Sequence, residues 1–133
     1  MSAADSFNSR VTPWLLSLVR IVAAFLFMQH GGQKLLAFPA APNNPVELMS
    51  LMGLAGALEL FGGALLLVGL FSRPIAFVLS GMMAVAYFMA HAPQGFWPML
   101  NGGELAALYS FVFLYLAFAG PGPLSLDRLF GSR

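Results

Sequence analysis

The sequence predicts an all-α membrane protein, a bundle of four transmembrane helices with both termini in the cytoplasm. Three observations predict this fold class: 59% of the 133 residues are hydrophobic, only 8% are charged, and the apolar residues form four stretches separated by turn residues. A soluble domain normally carries about 25% charged residues, so most of this surface is expected to face lipid. So few short segments cannot close a β-barrel, and each span is therefore expected to be a helix.

The four predicted spans follow one another in a single domain, residues 1–133. They cover residues 13–38, 47–70, 74–92 and 103–119. Each approaches the ~20 helical residues that cross a ~30 Å hydrocarbon core. Helix starts are predicted at Thr12-Pro13, at Ser72 and at Asn101, where a capping residue precedes a proline or stands three positions before a glutamate. The tail after residue 123 is expected to form a short surface helix capped by Ser125.

The distribution of basic residues predicts the orientation. Lys34 is expected on one side of the membrane, whereas four arginines are expected beside the N-terminus, the second connection and the tail. These are Arg10, Arg73, Arg128 and Arg133. Because segments rich in Lys and Arg stay in the cytoplasm, both termini are expected there. Arg20 interrupts the first apolar stretch, which favours a retained span over a cleaved signal peptide.

Charge and cysteine content exclude several classes of function. A net charge of +1 provides no basic field for nucleic acid, so no nucleic-acid partner is expected. The chain has no cysteine, which excludes disulfides, thiolate metal sites and a dithiol relay within it, and no metal site is predicted. The lipid bilayer is the partner that the composition requires.

Two ionisable residues in the first two spans are predicted to form a buried ion pair. Each ionisable group costs at least ~2.5 kcal/mol to insert, so it normally faces protein and has a partner. Arg20 and Glu59 lie at depths about 8 Å apart along the helix axes, an offset that a long guanidinium side chain can span. A structural role in helix register is favoured for this pair over proton transfer.

A polar cluster is predicted near the outer end of the bundle. Counted from Pro13 and Pro74, His30 and His91 reach the same depth, about 25 Å above the inner boundary. Gln33 and Lys34 follow one turn above His30, Glu104 enters the fourth helix from the same side, and three aromatic residues are expected to form a wall beneath. The predicted ligand-binding residues are His30, Gln33, Lys34, His91, Glu104, Tyr87, Phe111 and Tyr115.

Less specific explanations exist for these residues. Lys34 can extend toward the headgroups as an anchor, and Glu104 can cap its helix together with Asn101. Either histidine can be a hydrogen-bonded packing residue. Tyr109 fits the aromatic belt of the membrane interface better than a site.

Five motifs, taken in order, resemble the DoxX family of small bacterial membrane proteins. They are Arg20, residues 30–35 (HGGQKL), 59–63 (ELFGG), 69–74 (GLFSRP) and 101–104 (NGGE). The resemblance covers nearly the whole chain and implies a four-helix protein of the bacterial inner membrane. Relatives in the family include a subunit of a thiosulfate:quinone oxidoreductase and proteins associated with oxidative-stress or detoxification enzymes. Many members have no established role, so the resemblance carries over neither a substrate nor a reaction.

Two functions from different classes follow from these observations. The first is a membrane subunit of a redox or oxidative-stress system that binds a quinone-like molecule, with the histidines and Glu104 at its oxygen atoms. The alternative is a non-catalytic membrane anchor or assembly factor that recruits a soluble enzyme. Haem ligation by His30 and His91 is disfavoured, because nothing but the two ligands suits it. Solute transport would require several copies of the chain, and hence a homo-oligomer.

Overall fold

The computed structural model describes residues 1–131, and every regular element in that range is a helix. The prediction of an all-α fold is thus confirmed. The helices are α1 (Ala3–Leu36), α2 (Leu51–Val68), α3 (Ser72–Gln94), α4 (Pro98–Asn101), α5 (Glu104–Ala119) and α6 (Leu126–Leu129). Two of them contain a π-helical turn, Leu58–Gly62 in α2 and Tyr87–His91 in α3. Arg133, which entered the orientation prediction, lies outside the described residues.

Three helices are long and apolar enough to cross a membrane, namely α1, α2 and α3. The fourth predicted span corresponds to α5, an apolar helix of 16 residues. At 1.5 Å per residue its length is about 24 Å, a little less than a ~30 Å hydrocarbon core. The short α4, which the sequence did not predict, precedes it.

The first helix begins at Ala3, ten residues before the predicted start at Pro13. The reason is a capping box that the prediction missed. The Ser2 hydroxyl accepts from the Asp5 amide at 3.1 Å, and the Ser2 amide donates to the Asp5 carboxylate at 3.0 Å. Pro13 therefore lies inside α1, where it removes one backbone hydrogen bond and does not end the helix.

The helices pack as two close pairs, α1 with α2 and α3 with α5, joined through a shared apolar core. Glycines bring the backbones of the first pair together. A Cβ atom added at Gly31 would lie 2.4 Å from the Leu60 nitrogen and 2.6 Å from the Gly56 oxygen. The core contains Ala24, Phe27, Leu66, Ala76, Leu79, Met83, Tyr109, Phe113 and Leu116.

The helix connections define two ends of the molecule. We call "loop end" the end that holds the last turn of α1, the segment 37–50 and the segment 95–103. We call "tail end" the end that holds the start of α1, the connection 69–71 and the tail 120–131. Along α1, Arg20 lies about 21 Å closer to the tail end than Lys34 does.

Candidate functional site

The ion pair within the described residues joins Glu59 to Lys34, and the predicted pair of Glu59 with Arg20 is wrong. The Lys34 ammonium lies 2.6 and 2.8 Å from the two Glu59 oxygens. Glu59 is 4% exposed, as expected for a carboxylate that faces protein. Lys34 is the nearer cation because it stands one turn above His30, at the level where the backbones of α1 and α2 touch.

Arg20 is satisfied by backbone carbonyls instead. The side chain is 1% exposed and donates from Nε to the Leu66 oxygen at 2.9 Å and from Nη2 to the Leu124 oxygen at 2.5 Å. It also donates to the oxygens of Leu67 and Pro121. Arg20 thus joins the C-terminal turn of α2 to the tail, and its role in the described structure is to hold the tail end together.

Asp127 connects the tail to the start of α3, and the sequence analysis did not single out this residue. Its two carboxylate oxygens accept from the Phe71 and Ser72 amides, each at 2.8 Å, so the tail caps the N-terminus of α3. Burial opposes ionisation, but the hydrogen bonds from Ser72 and Phe71, together with the Arg20 charge, outweigh it and lower the pKa of Asp127 below its usual value. The predicted tail helix with Ser125 as its cap is confirmed, and it is docked rather than free.

The Lys34–Glu59 pair forms part of the wall of a cavity near the loop end. The cavity has a volume of about 340 Å³, at the lower end of the range for small-molecule sites. Three of the predicted ligand-binding residues line it together, namely His30, Lys34 and His91. The remaining wall is mostly apolar and includes Phe27, Met82, Met83, Ala106 and Tyr109. The arrangement offers charged and imidazole groups beside an apolar and aromatic surface.

Both π-helical turns found within residues 1–131 lie at this cavity. Glu59 lies in the turn Leu58–Gly62, and His91 is the last residue of the turn Tyr87–His91. A π-helical turn inserts one residue into an α-helix and changes the direction of the side chains around it, and such turns are frequent at functional sites. Sequence periodicity cannot reveal them, because it assumes an unbroken α-helix.

The ring of His91 is oriented by the segment that leads into α5. Its Nδ1 lies 3.1 Å from the Asn101 carbonyl oxygen. Because a carbonyl oxygen only accepts, Nδ1 carries a proton, and in the neutral ring Nε2 presents a lone pair. Asn101 is itself held by hydrogen bonds to Gly95 and Gly103. The ring is therefore fixed at Nδ1, with Nε2 available to a ligand's hydroxyl or to a proton.

Five other predicted ligand-binding residues do not line this cavity. Gln33 donates to the Ala41 oxygen in the segment 37–50, and the Tyr87 hydroxyl accepts from Asn101. Glu104 is exposed, and it forms no capping box, because Gly103 is the N-cap of α5. Phe111 and Tyr115 are 72% and 62% exposed on the outer face of α5. The predicted aromatic wall is wrong for these two residues.

The aromatic wall that does exist comes from the opposite face of α5. Tyr109, assigned to the interfacial belt by its sequence, is buried and stacks on Phe113 with ring centres 5.4 Å apart. The Phe27 ring of α1 meets Tyr109 edge-on at 5.2 Å. The sequence carries no signal for this face, because Phe111 and Tyr115 are spaced by one helical turn just as Tyr109 and Phe113 are.

A second cavity, about 570 Å³, lies under the segment 37–50 and adjoins the first. Lys34 and Met52 line both cavities. The Lys34–Glu59 pair therefore stands between the apolar cavity and a more polar space at the loop end.

The long apolar helices are those of a helical membrane protein. The partly open cavity between them, lined by an ion pair and two histidines, is a candidate site for an amphipathic molecule. The DoxX family model matches residues 15–92, more than half of the chain, and the chain belongs to this family. The resemblance seen in the sequence is thus confirmed, although residues 101–104 lie outside the matched range.

Two relatives cover almost the whole chain. An uncharacterized protein of Haemophilus influenzae is 46% identical over 128 residues, covering 89% of this chain and 92% of the relative. The inner membrane protein YphA of Escherichia coli is 27% identical over 132 residues, covering 87% of this chain and 90% of the relative. No solved structure matches the chain.

Proposed function

We propose that this DoxX protein is a membrane subunit of a redox or oxidative-stress system, and that it binds a quinone-like molecule in the 340 Å³ cavity. The observation that supports this proposal is the composition of the cavity wall. Lys34 and His30 offer donors to a carbonyl oxygen, and Nε2 of His91 can accept from a quinol hydroxyl. Phe27 and Tyr109 offer aromatic surface to a ring.

The ion pair gives the proposed site a means of responding to its ligand. Lys34 and Glu59 neutralise each other in the free protein, and a carbonyl oxygen approaching Lys34 would compete with the carboxylate for the same ammonium. Reduction of a quinone to a quinol takes up two protons with two electrons, and His91 is positioned to hold one of them at Nε2. The electrons would come from a soluble or membrane redox partner protein.

The ligand proposal is tested by titrating the full chain in detergent with short-chain ubiquinone and menaquinone analogues. We expect saturable binding, and a His30→Ala/His91→Ala variant should bind at least about tenfold more weakly, the loss of roughly one to two hydrogen bonds. Phe111→Leu is the matched control, because Phe111 lies outside the cavity. Absence of saturable binding, or equal binding by the double variant, would contradict the proposal.

We further propose that α1, α2, α3 and α5 all span the inner membrane, with both termini in the cytoplasm. The inner-membrane name of the Escherichia coli relative and the positions of Arg10, Arg73 and Arg128 near the tail end support this topology. Because the chain has no cysteine, a maleimide can label a single-cysteine variant only at the introduced residue, and the labelling reports on which side of the membrane that residue lies. A membrane-impermeant maleimide added to intact cells should label Asn44→Cys and not Ser6→Cys. The reverse labelling would refute the orientation.

A second candidate function, a non-catalytic anchor for a soluble enzyme, is favoured by the exposed end of the docked tail. Leu129 and Phe130 are 75% and 68% exposed. If this tail recruits an enzyme, purification from native membranes should recover a stoichiometric partner with the wild type and lose it with Leu129→Ser/Phe130→Ser. Recovery of no such partner, or its retention by the variant, would count against an anchor role of the tail.

A further inference from the structure

We propose that a groove at the tail end binds the phosphate headgroup of an anionic phospholipid between Arg73 and Arg128. The groove has a volume of about 740 Å³ and lies between the start of α1, the end of α5 and the tail. Thr12 and Tyr115 line it together with the two arginines, and no carboxylate lines it in the part of the chain that the structure describes.

Arg73 is held in position for this role by the end of α5. Its Nη1 donates to the carbonyl oxygens of Ala117, at 3.3 Å, and Phe118. A Cβ atom added at Gly120 would lie 2.9 Å from Nη2, so the guanidinium rests directly on this glycine. The hydrogen bonds within residues 1–131 use Nη1 alone. The N–H groups of Nε and Nη2 therefore remain for an anion, and a guanidinium fork suits the geometry of a phosphate.

Arg128 is brought to the same groove by the docking of the tail. Its amide donates to the Ser125 hydroxyl at 3.1 Å in the first turn of α6, and the neighbouring Asp127 ties that turn to α3. The carboxylate of Asp127 is engaged with the Phe71 and Ser72 amides. Arg73 and Arg128 thus line one groove beside the apolar surface of a membrane protein. A bound anion would stabilise this arrangement, because it would offset the charges of the two arginines.

A lipid fits this groove better than a free phosphate because the groove continues along an apolar surface. Leu16 and Ala119 line it, and the Tyr115 ring borders it with 62% of its surface exposed. An acyl chain can lie along these side chains while the phosphate contacts the arginines. The tail end also carries most of the basic residues, and basic pockets between helices on the cytoplasmic side are typical of anionic headgroup sites.

The test measures binding of phosphatidylglycerol and phosphatidylcholine with identical acyl chains to the purified full chain, by native mass spectrometry. We expect wild type to favour phosphatidylglycerol, and Arg73→Gln and Arg128→Gln each to lower its affinity about fivefold. Arg10→Gln is the matched control, because Arg10 is exposed near the same end but does not line the groove. It should change the affinity less than about twofold.

Several outcomes would overturn the proposal. Equal binding of the two lipids would remove the role of the headgroup charge, and an equal effect of Arg10→Gln would indicate general surface attraction. Complete displacement of phosphatidylglycerol by millimolar inorganic phosphate would indicate a free-anion site. Because Arg73 also holds the end of α5, thermal unfolding is measured for each variant. Arg128→Gln leaves those contacts intact, so an unchanged affinity in this variant alone refutes the site.

Discussion

Double-mutant cycles can test whether Glu59 interacts with Lys34 and not with Arg20. The Lys34 and Glu59 side chains are 18% and 6% exposed, and Lys34 Nζ lies 2.6 Å from the nearer Glu59 oxygen. The two charge centres are thus about 3 Å apart, which gives an attraction of roughly 5 kcal/mol at an effective dielectric constant near 20. Desolvation and the partial exposure of Lys34 offset part of this attraction. We expect a coupling free energy of about 2 kcal/mol between Lys34→Gln and Glu59→Gln.

The second cycle combines Arg20→Gln with Glu59→Gln. Arg20 lies about 21 Å from Lys34 along α1 and shares no partner with Glu59, so the two substitutions should be additive within about 0.5 kcal/mol. Arg20→Gln alone should still destabilise the protein by about 3 kcal/mol or more, because it leaves buried carbonyl groups without a donor. The two cycles therefore distinguish Arg20, whose substitution destabilises the protein without coupling to Glu59, from Lys34, whose substitution is coupled to that of Glu59.

Both cycles are measured as free energies of unfolding in mixed micelles titrated with dodecyl sulfate, followed by circular dichroism. The wild type and all single and double variants are measured in the same micelles, so that the reference state is shared. A Lys34/Glu59 coupling below about 0.5 kcal/mol would refute the ion pair. An Arg20/Glu59 coupling of 1 kcal/mol or more would refute the packing of α1 against α2 described above.

Three further predictions concern the tail and the core. Asp127→Asn should lower the free energy of unfolding by about 1–2 kcal/mol at pH 7. Because the pKa of Asp127 is lower in the folded than in the unfolded chain, its contribution is present above about pH 4 and is lost as the pH falls through the folded value, so the difference between variant and wild type should shrink in acid titrations. Gly31→Ala should destabilise by about 1–3 kcal/mol through overpacking, whereas Gly81→Ala, whose added Cβ has no neighbour within 4 Å, should be neutral or stabilising by up to about 1 kcal/mol in the same titration. Phe27→Ala should cost about 3–5 kcal/mol and Phe111→Ala less than about 1 kcal/mol, and equal losses would contradict the burial of Phe27.

Position along a helix axis can be counted from the sequence, but the facing of α5 cannot. A fixed rise per residue places His30 and His91 at one level with Lys34 one turn above, and all three line one cavity. The buried side of a helix can be predicted only when the helix has one polar and one apolar side. Apart from Ser110, residues 105 to 119 are apolar or aromatic on every side of the helix. Ser110 lies between Tyr109 and Phe111, so nothing in the pattern distinguishes buried Tyr109 from exposed Phe111.

The partner of Arg20 was not predictable for a different reason. Sequence reasoning pairs a cation with a side chain of opposite charge, but the acceptors of Arg20 are backbone carbonyls, which every residue carries. These carbonyls become available only where α2 ends and where the tail turns back after Gly120. A contact across about a hundred positions, such as Arg20 with Leu124, is visible only in the folded chain.

The family motifs divide between the two ends of the molecule, and the quinone-like ligand is proposed at only one of them. Arg20 and residues 69–74 hold the tail end, where hydrogen bonds within the protein engage the buried arginine and Asp127. Residues 30–35 and 59–63 lie at the loop end, where His91 and the Lys34–Glu59 ion pair line a cavity. A polar group whose hydrogen bonds are all made within the protein must break one of them to bind a ligand. Nε2 of His91 can bind a ligand while the hydrogen bond of Nδ1 to Asn101 stays intact. Substitutions of Arg20 or Asp127 should therefore reduce the free energy of unfolding in proportion to any loss of quinone binding. Substitutions of His30 or His91 should reduce quinone binding while they lower the free energy of unfolding by no more than about 1 kcal/mol, the contribution of the His91–Asn101 hydrogen bond.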